Sequence, residues 1–288
     1  MLRFAFLILA LVSASQLSAQ VNLVVSIKPL QLIAEPLLEN NAKIRVLVPD
    51  SSSPHHYTMT PSDRLALETA DLIIYIGQQL ETELHDAIDG LGRDQSVLRL
   101  LDLPAIDTRP LSDDGRVDPH IWLDGGNSLL IAALIRDQLK ALDESLNQQL
   151  DERYRQLEQQ LIAARTGWKD RIGALPEKPY AVYHDAIGYF EAQFNRRHSL
   201  VLIENPEIQA GIRQLLAVRR SIADSPPVCL FTDVTSRQNT IDTLFADHPV
   251  RQKELDLMGS RLPDGANFVS LLDSLVSDFS SCLEQGDL

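Results

Sequence analysis

The sequence DPHIWLD, residues 118–124, stands immediately before a long helical segment and places one histidine, His120, in a rigid and largely apolar frame. Two further histidines occupy comparable settings. His55 lies in a loop after a predicted strand, and His184 follows the predicted strand 180–183. Side chains that leave strand ends in distant segments can converge at one edge of a fold. The three histidines therefore indicate a metal site built from separate parts of the chain.

Length and composition place the chain among globular proteins of one large or two medium domains. It has 288 residues, of which 44% are hydrophobic, so it can bury a substantial core. Its net charge of −14 argues against a nucleic-acid partner, which would need a basic face. The acidic balance suits an exported protein that handles cations, and charge that serves solubility alone explains it equally well.

The first 19 residues have the pattern of a secretory signal peptide. A basic start is followed by an uncharged apolar run over residues 4–12 and by small and polar residues up to Ala19. The run is shorter than the roughly 20 apolar residues that cross a bilayer. Cleavage after Ala19 and cleavage after Ser15 both remain open. We expect the protein to be exported and its mature part to be soluble.

The two cysteines, Cys229 and Cys282, are predicted to form a disulfide, because thiols in an exported protein usually pair. Cys229 lies in a predicted strand and Cys282 lies near the end of the last predicted helix. The bridge would therefore hold that helix against the sheet of its own domain. Two buried free thiols are the alternative at this point.

Short apolar strands alternate with helices in both halves of the chain. The predicted strands are 21–27, 43–48, 71–77, 97–100, 180–183, 200–203, 229–232 and 253–257. The predicted helices between and after them are 29–39, 61–70, 81–89, 186–194, 207–223, 237–245 and 267–283. This alternation predicts parallel pairing with crossover helices.

Residues 127–175 lack strands and carry apolar side chains at steps of three or four, which predicts a helical segment with one buried face. Capping residues in the stretch 143–147 allow either one rod or two helices that meet near Asp143. The part from 144 to 173 would be about 45 Å long at ~1.5 Å per residue, enough to run along both halves. A helical hairpin packed inside one domain is the alternative.

The expected fold class is therefore α/β, with two lobes that each contain a mainly parallel sheet flanked by helices. A long linking helix joins the lobes. The predicted division is a signal peptide at 1–19, an N-terminal lobe at 20–126, a linking spine at 127–175 and a C-terminal lobe at 176–288.

Four segments resemble, in order, the motifs of the zinc-binding components of bacterial ABC importers, the ZnuA-type or cluster A-I metal receptors. These segments are residues 55–63, 118–124, 183–185 and 255–259, and the resemblance covers essentially the whole mature chain. It implies a periplasmic receptor that holds a metal between two lobes. Such a receptor delivers the metal to a membrane permease driven by a cytoplasmic ATPase, and we expect it to be a monomer.

The resemblance also implies a ligand set. His55, His120 and His184 match the three histidine ligands, and Asp256 matches an aspartate that is the fourth ligand in some relatives. In other relatives, water or a glutamate before the first histidine takes the fourth place, but Pro54 stands there in this chain. Histidine at position 184, where manganese-binding relatives commonly have glutamate, favours Zn²⁺ over Mn²⁺.

Three more residues have expected supporting roles. Asp118 and Asp185 are candidates to orient a ligand imidazole through its second ring nitrogen, the one that does not bind the metal. His56 is a candidate transient ligand while the metal is being loaded. We expect capture and release of metal instead of catalysis.

Other functions remain possible at this point. A manganese or iron receptor of the same family is one alternative. An exported zinc-dependent hydrolase is another, because three histidines with an open position also describe catalytic zinc, although no motif supplies its general base. A structural or adhesive surface protein is the third, and a soluble, acidic mature chain disfavours it.

Overall fold

The computed structural model describes residues 20–38, 42–50, 52–92, 96–111, 115–204 and 210–284, without the side chain of His56. The predicted signal peptide, residues 1–19, lies outside the described residues. Across the described ranges, no helix combines the length and the apolar composition needed to cross a membrane.

The first lobe contains a parallel four-stranded sheet in the order β2-β1-β3-β4. Its strands are β1 (Val21–Val25), β2 (Ala42–Val46), β3 (Leu72–Tyr75) and β4 (Ser96–Arg99), and its helices are α1 (Lys28–Leu38), α2 (Pro61–Glu68) and α3 (Thr82–Asp89). The central strands β1 and β3 are almost entirely buried, as their continuous apolar sequences predict for strands covered on both faces.

The linking segment consists of two helices instead of one rod. Helix α4 (Gly125–Leu142) and helix α5 (Asn147–Gly173) are separated by a 3₁₀ turn at Glu144–Leu146. Asp143 caps this turn, because its Oδ1 accepts a hydrogen bond from the backbone N–H of Ser145 at 2.9 Å. The two helices pack on each other, and both contact α1 of the first lobe.

The second lobe repeats the connectivity of the first, with a parallel sheet in the order β6-β5-β7-β8. Its elements are β5 (Tyr180–Val182), α6 (Gly188–Gln193), β6 (Leu200–Val201), α7 (Ile212–Asp224), β7 (Cys229–Thr232), α8 (Gln238–Leu244), β8 (Arg251–Glu254) and α9 (Phe268–Glu284). The predicted start of α7, at residue 207, lies outside the described residues.

One apolar core extends through both lobes. Buried residues from β1 and α1 are continuous, through α4 and α5, with those of α9 and β7. Polar contacts reinforce α5 on both sides: Arg153 donates to the carbonyl of Leu37 at 2.8 Å, and the indole N–H of Trp168 donates to Asp273 at 2.8 Å. The helical hairpin of α4 and α5 therefore joins the two lobes instead of lying within one.

The structure contains the predicted disulfide. Cys229 in β7 and Cys282 in α9 are bonded, with their Cα atoms 6.1 Å apart, and both residues are buried. The bridge holds the last helix against the sheet of the second lobe.

The prediction for the last strand was wrong by two to three residues. Strand β8 is Arg251–Glu254 instead of 253–257, with Arg251 opposite Cys229 and Glu254 opposite Thr232. The apolar residues Leu255 and Leu257 are buried in the core just beyond the strand's end. Burial in a loop, and not strand pairing, explains this apolar stretch.

Candidate metal centre

Three histidines from distant parts of the chain meet in one place. His55, His120 and His184 each offer a ring nitrogen, and these atoms all lie within 4.8 Å of one another. Their ring centroids are 5.5 to 6.3 Å apart. His120 and His184 are buried and His55 is partly exposed, and all three line a cavity of about 190 Å³. The arrangement provides three nitrogen donors at the base of a cavity.

A compact turn positions His55. The ring belongs to a 3₁₀ turn, Pro54–His56, whose capping residue Ser53 accepts a hydrogen bond from the backbone N–H of His55 at 3.3 Å. Two residues later, the Tyr57 hydroxyl donates to Asp63 at 2.5 Å, and Asp63 also caps α2. The loop that carries His55 is thus fastened to the first turn of α2.

Several donors hold the Asp63 carboxylate in its ionised form. Burial on its own would raise the pKa of Asp63, but hydrogen bonds from Arg45, Thr60 and Tyr57 lower that pKa to about 2. Burial and the neighbouring Asp63 carboxylate raise the pKa of the Tyr57 hydroxyl. The hydrogen bond between Tyr57 and Asp63, which fastens the His55 loop to α2, is therefore kept throughout the physiological pH range.

The apolar frame of the segment 118–124 positions His120. Ile121 and Leu123 are fully buried, and the backbone there forms a 3₁₀ turn. Asp118 Oδ1 accepts hydrogen bonds from the backbone N–H of His120 at 3.0 Å and from its ring Nδ1 at 2.8 Å. With Nδ1 bonded in this way, Nε2 of His120 is left for a metal. The expected supporting role of Asp118 agrees with this geometry.

The second lobe supplies His184, which lies two residues beyond the end of β5. Its Nδ1 is 2.8 Å from Asp233 Oδ2 and 3.2 Å from the Thr235 hydroxyl. Burial lowers the pKa of the His184 imidazole, but the charge and hydrogen bond of Asp233 outweigh burial and raise that pKa overall. Among the described residues, the buried Nε2 of His184 has no hydrogen-bond partner.

Hydrogen bonds connect the two lobes beside the site. The indole N–H of Trp122 donates to the carbonyl of Leu257 at 2.9 Å, and the hydroxyl of Tyr189 donates to the carbonyl of Asp118 at 3.1 Å. The amide of Gln193 donates to the carbonyl of Leu123 at 2.8 Å. The segment that carries His120 is therefore fixed by the lobe that carries His184.

The structure does not bring Asp256 into the group of ligand atoms. Its Oδ1 accepts hydrogen bonds from the backbone N–H of Ser260 at 2.9 Å and from its hydroxyl at 3.0 Å, and Oδ2 accepts from the backbone N–H of Arg261 at 2.7 Å. The carboxylate organises the turn after β8. None of these bonds involves a ligand histidine, so the role of Asp256 as a fourth ligand stays a prediction.

The expected role of Asp185 behind a ligand imidazole stays a prediction, because the structure does not pair Asp185 with His184. The ring pairs with Asp233 instead, while Asp185 Oδ2 lies 3.9 Å from Nε2 of His198. The role of His56 stays a prediction, since its side chain is outside the described part of the chain.

Strand pairing explains why Asp233, and not Asp185, faces His184. Val182 of β5 lies opposite Phe231 of β7, so two residues further along each chain His184 lies beside Asp233. The chain bends over residues 183–185, directly after β5, and Asp185 Oδ2 lies on the side of His198, 3.9 Å from Nε2 of that ring. A carboxylate directly after the neighbouring strand was the signal in the sequence that could have identified Asp233.

The donors fit a borderline dication. Three neutral imidazoles are a common ligand set for Zn²⁺, and manganese prefers oxygen ligands. A buried nitrogen without a protein partner, as at His184, is what a metal ligand presents.

Comparison with known proteins agrees with this geometry. The sequence model of ZnuA, described as zinc-uptake complex component A, periplasmic, matches residues 23–282. The chain belongs to the ZnuA family. A curated relative, the high-affinity zinc uptake system protein ZnuA of Yersinia pestis, is 28% identical over 98% of both chains.

Solved structures share the ZnuA-like fold. The periplasmic zinc-binding protein TroA from Treponema pallidum superposes with a TM-score of 0.81 at 21% identity, over 91% of this chain and 98% of that one. A Mn-bound periplasmic metal-binding protein from Candidatus Liberibacter asiaticus superposes with a TM-score of 0.76 at 20% identity, over the same shares. The fold of this chain, two parallel sheets linked through helices α4 and α5, is thus shared by these solved structures.

Proposed function

We propose that this protein captures Zn²⁺ between its two lobes in the periplasm and delivers it to an ABC permease driven by a cytoplasmic ATPase. The observation that carries the proposal is the convergence of His55, His120 and His184, from both lobes, in a member of the ZnuA family. The curated relatives are named as components of high-affinity zinc uptake systems. We propose that the chain acts as a monomer.

The ions are cargo in this function, and the protein performs no reaction on them. The imidazoles bind Zn²⁺ through deprotonated nitrogen, so capture competes with protons. Members of the ZnuA family are solute-binding proteins and not enzymes, which sets the hydrolase alternative aside. The predicted boundaries 20–126, 127–175 and 176–288 stay proposals for the units that carry out capture.

Metal analysis of protein purified without added metal, followed by competition between zinc and manganese, tests this function. We expect one zinc ion per chain, with zinc displacing manganese. His120→Ala removes one donor and leaves Asp118 buried without its imidazole. The His120→Ala variant should therefore lose more zinc affinity than the roughly 10–100-fold typical of variants that lack a residue hydrogen-bonded to a ligand.

His248→Ala is the matched control, because it removes an imidazole outside the cluster and should leave zinc affinity unchanged. Wild-type protein that binds no zinc, or equal affinities for the His120→Ala and His248→Ala variants, would refute the proposed function.

A further inference from the structure

Two of the three histidines each pair with a buried aspartate. Asp118 pairs with Nδ1 of His120 and Asp233 pairs with Nδ1 of His184, each at 2.8 Å. We propose that Asp233 is the positioning residue of His184, and that Asp118 and Asp233 together supply the two negative charges that balance a captured dication. This inference rests on the proposed function.

The Asp233 carboxylate is fixed independently of His184. Its Oδ1 accepts hydrogen bonds from the backbone N–H of Thr235 at 2.7 Å and from the Thr235 hydroxyl at 2.6 Å. The Ser236 hydroxyl accepts from the backbone N–H of Asp233 at 3.0 Å. These bonds aim Oδ2 at the imidazole, so the acceptor is already in place when a metal arrives.

This pairing selects one tautomer of His184. A carboxylate accepts hydrogen bonds and does not donate them, so the proton of the neutral ring resides on Nδ1. Nε2 then keeps its lone pair and faces the other two histidines as a donor to metal. Without Asp233, the ring could carry its proton on Nε2 and would have to change tautomer before binding.

The charge argument follows from the composition of the group. Its ligand atoms come from three neutral imidazoles, and no carboxylate of the described residues joins them. A dication held by neutral ligands in a buried place needs opposite charge nearby. The carboxylates of Asp118 and Asp233 are 4% and 9% exposed and lie one hydrogen bond away. Asp185 is more exposed, at 28%, and faces His198.

Each pair is complete within one lobe. Asp118 and His120 belong to the same short segment ahead of α4, whereas Asp233 and His184 follow adjacent strands of the second lobe. The two carboxylates have different partners. Because both partners would bind the same ion, removal of both carboxylates should lower zinc affinity further than removal of either one.

The test compares Asp118→Asn, Asp233→Asn and the double variant with wild type, in zinc competition against a chromophoric chelator. Asparagine keeps the size of aspartate and removes the charge. Each single variant should lose about 10–100-fold in zinc affinity, and the double variant should lose more than either single variant. Asp273→Asn, which alters a carboxylate bonded to Trp168 in the same lobe, is the matched control and should retain wild-type affinity.

Metal-free protein gives a readout that a merely structural role would not change. The ¹⁵N chemical shifts of the His184 ring at a pH where it is neutral should report a proton on Nδ1 in wild type. In Asp233→Asn they should report a mixture with the Nε2 form, while Asp273→Asn should match wild type.

The outcomes separate this inference from the proposed function. If wild type binds zinc and Asp233→Asn binds within about twofold of Asp273→Asn, the inference is overturned and the function stands. If wild type binds no zinc, the function itself falls. Should Asp233→Asn fail to fold, Thr235→Val decides: it removes the hydroxyl that bonds the Asp233 carboxylate and lies 3.2 Å from Nδ1 of His184, and it should lower zinc affinity about threefold. Unchanged affinity in that variant would overturn the inference.

Discussion

Glu81 is a buried carboxyl group beside the loop that carries His55. It accepts hydrogen bonds from the backbone N–H groups of Gly77 at 2.9 Å and Ile76 at 3.4 Å, and it lines a second cavity with His55. Burial raises the pKa of Glu81 to about 7, although these hydrogen bonds act to lower it. The folded protein therefore binds this proton more tightly than the unfolded chain does.

The pH dependence of stability follows from the direction of that shift. The contribution of Glu81 is fully present below about pH 4.5 and is lost as the pH rises through about 7. Between pH 4.5 and pH 8, the free energy of unfolding of wild type should fall by about 3 kcal/mol relative to Glu81→Gln. Urea unfolding of metal-free protein across this range measures it.

Glu83→Gln serves as control for this prediction, because Glu83 is exposed in the first turn of α3, two residues after Glu81, and its loss should leave the pH profile unchanged. Parallel profiles for wild type and Glu81→Gln would show that Glu81 contributes no pH dependence.

At the scale of single residues, the sequence indicates the candidate ligands better than it indicates the carboxylates that pair with them. His55, His120 and His184 stand in local motifs that can be recognised one at a time. The partner of His184 cannot be recognised in that way, because Asp233 is 49 positions away and reaches the ring only through the pairing of β5 with β7. Asp185 is adjacent to His184 in the sequence, but the chain bends there and the carboxylate of Asp185 lies near His198 instead.

At the scale of elements, alternation of apolar strands and helices predicts both sheets, because buried parallel strands need continuous apolar sequences. Strand β8 departs from this rule since it lies at the edge of its sheet, where alternate residues are exposed. Its sequence is therefore polar, and the apolar residues that follow it serve the core beside Trp122. The strand's limits depend on pairing that no local pattern records.

The disulfide between β7 and α9 makes a testable contribution to stability. Replacing both cysteines by alanine should lower the free energy of unfolding by about 4 kcal/mol in the chain-entropy model, for a separation of 53 residues. Alanine suits these positions because both cysteines are buried. Denaturant unfolding of oxidised wild type and of the double variant measures the difference.

Reduced wild type is the control for the disulfide, and it should unfold at nearly the same denaturant concentration as the double variant. Zinc stoichiometry should stay at one per chain, because the bridge does not reach the histidines. A double variant as stable as the oxidised protein would contradict this prediction.

At the scale of the whole molecule, the core that runs through α4 and α5 limits how far the lobes can move. Both helices contact α1 of one lobe and α9 of the other, and α5 is about 40 Å long at ~1.5 Å per residue. Capture of zinc should therefore leave the relative orientation of the lobes nearly unchanged, without a hinge rotation. Crystal structures of the metal-free and zinc-bound protein measure this orientation.

Small movements of the loops that carry the histidines should account for any change on binding, because their ligand atoms already lie within 4.8 Å of one another. Metal-free His120→Ala should superpose on metal-free wild type. A hinge rotation of tens of degrees between the two states of wild type would show that the linking helices do not restrain the lobes.

The position of Trp122 has a practical consequence. Its indole lies 5.3 Å, centre to centre, from the ring of His120, and the chain has one other tryptophan, Trp168, which is bonded to Asp273 on α9. Arrival of a dication beside one indole should alter the fluorescence of that indole and leave the emission of the other as an internal reference. The molecule thus carries its own optical signal of loading, with no attached dye.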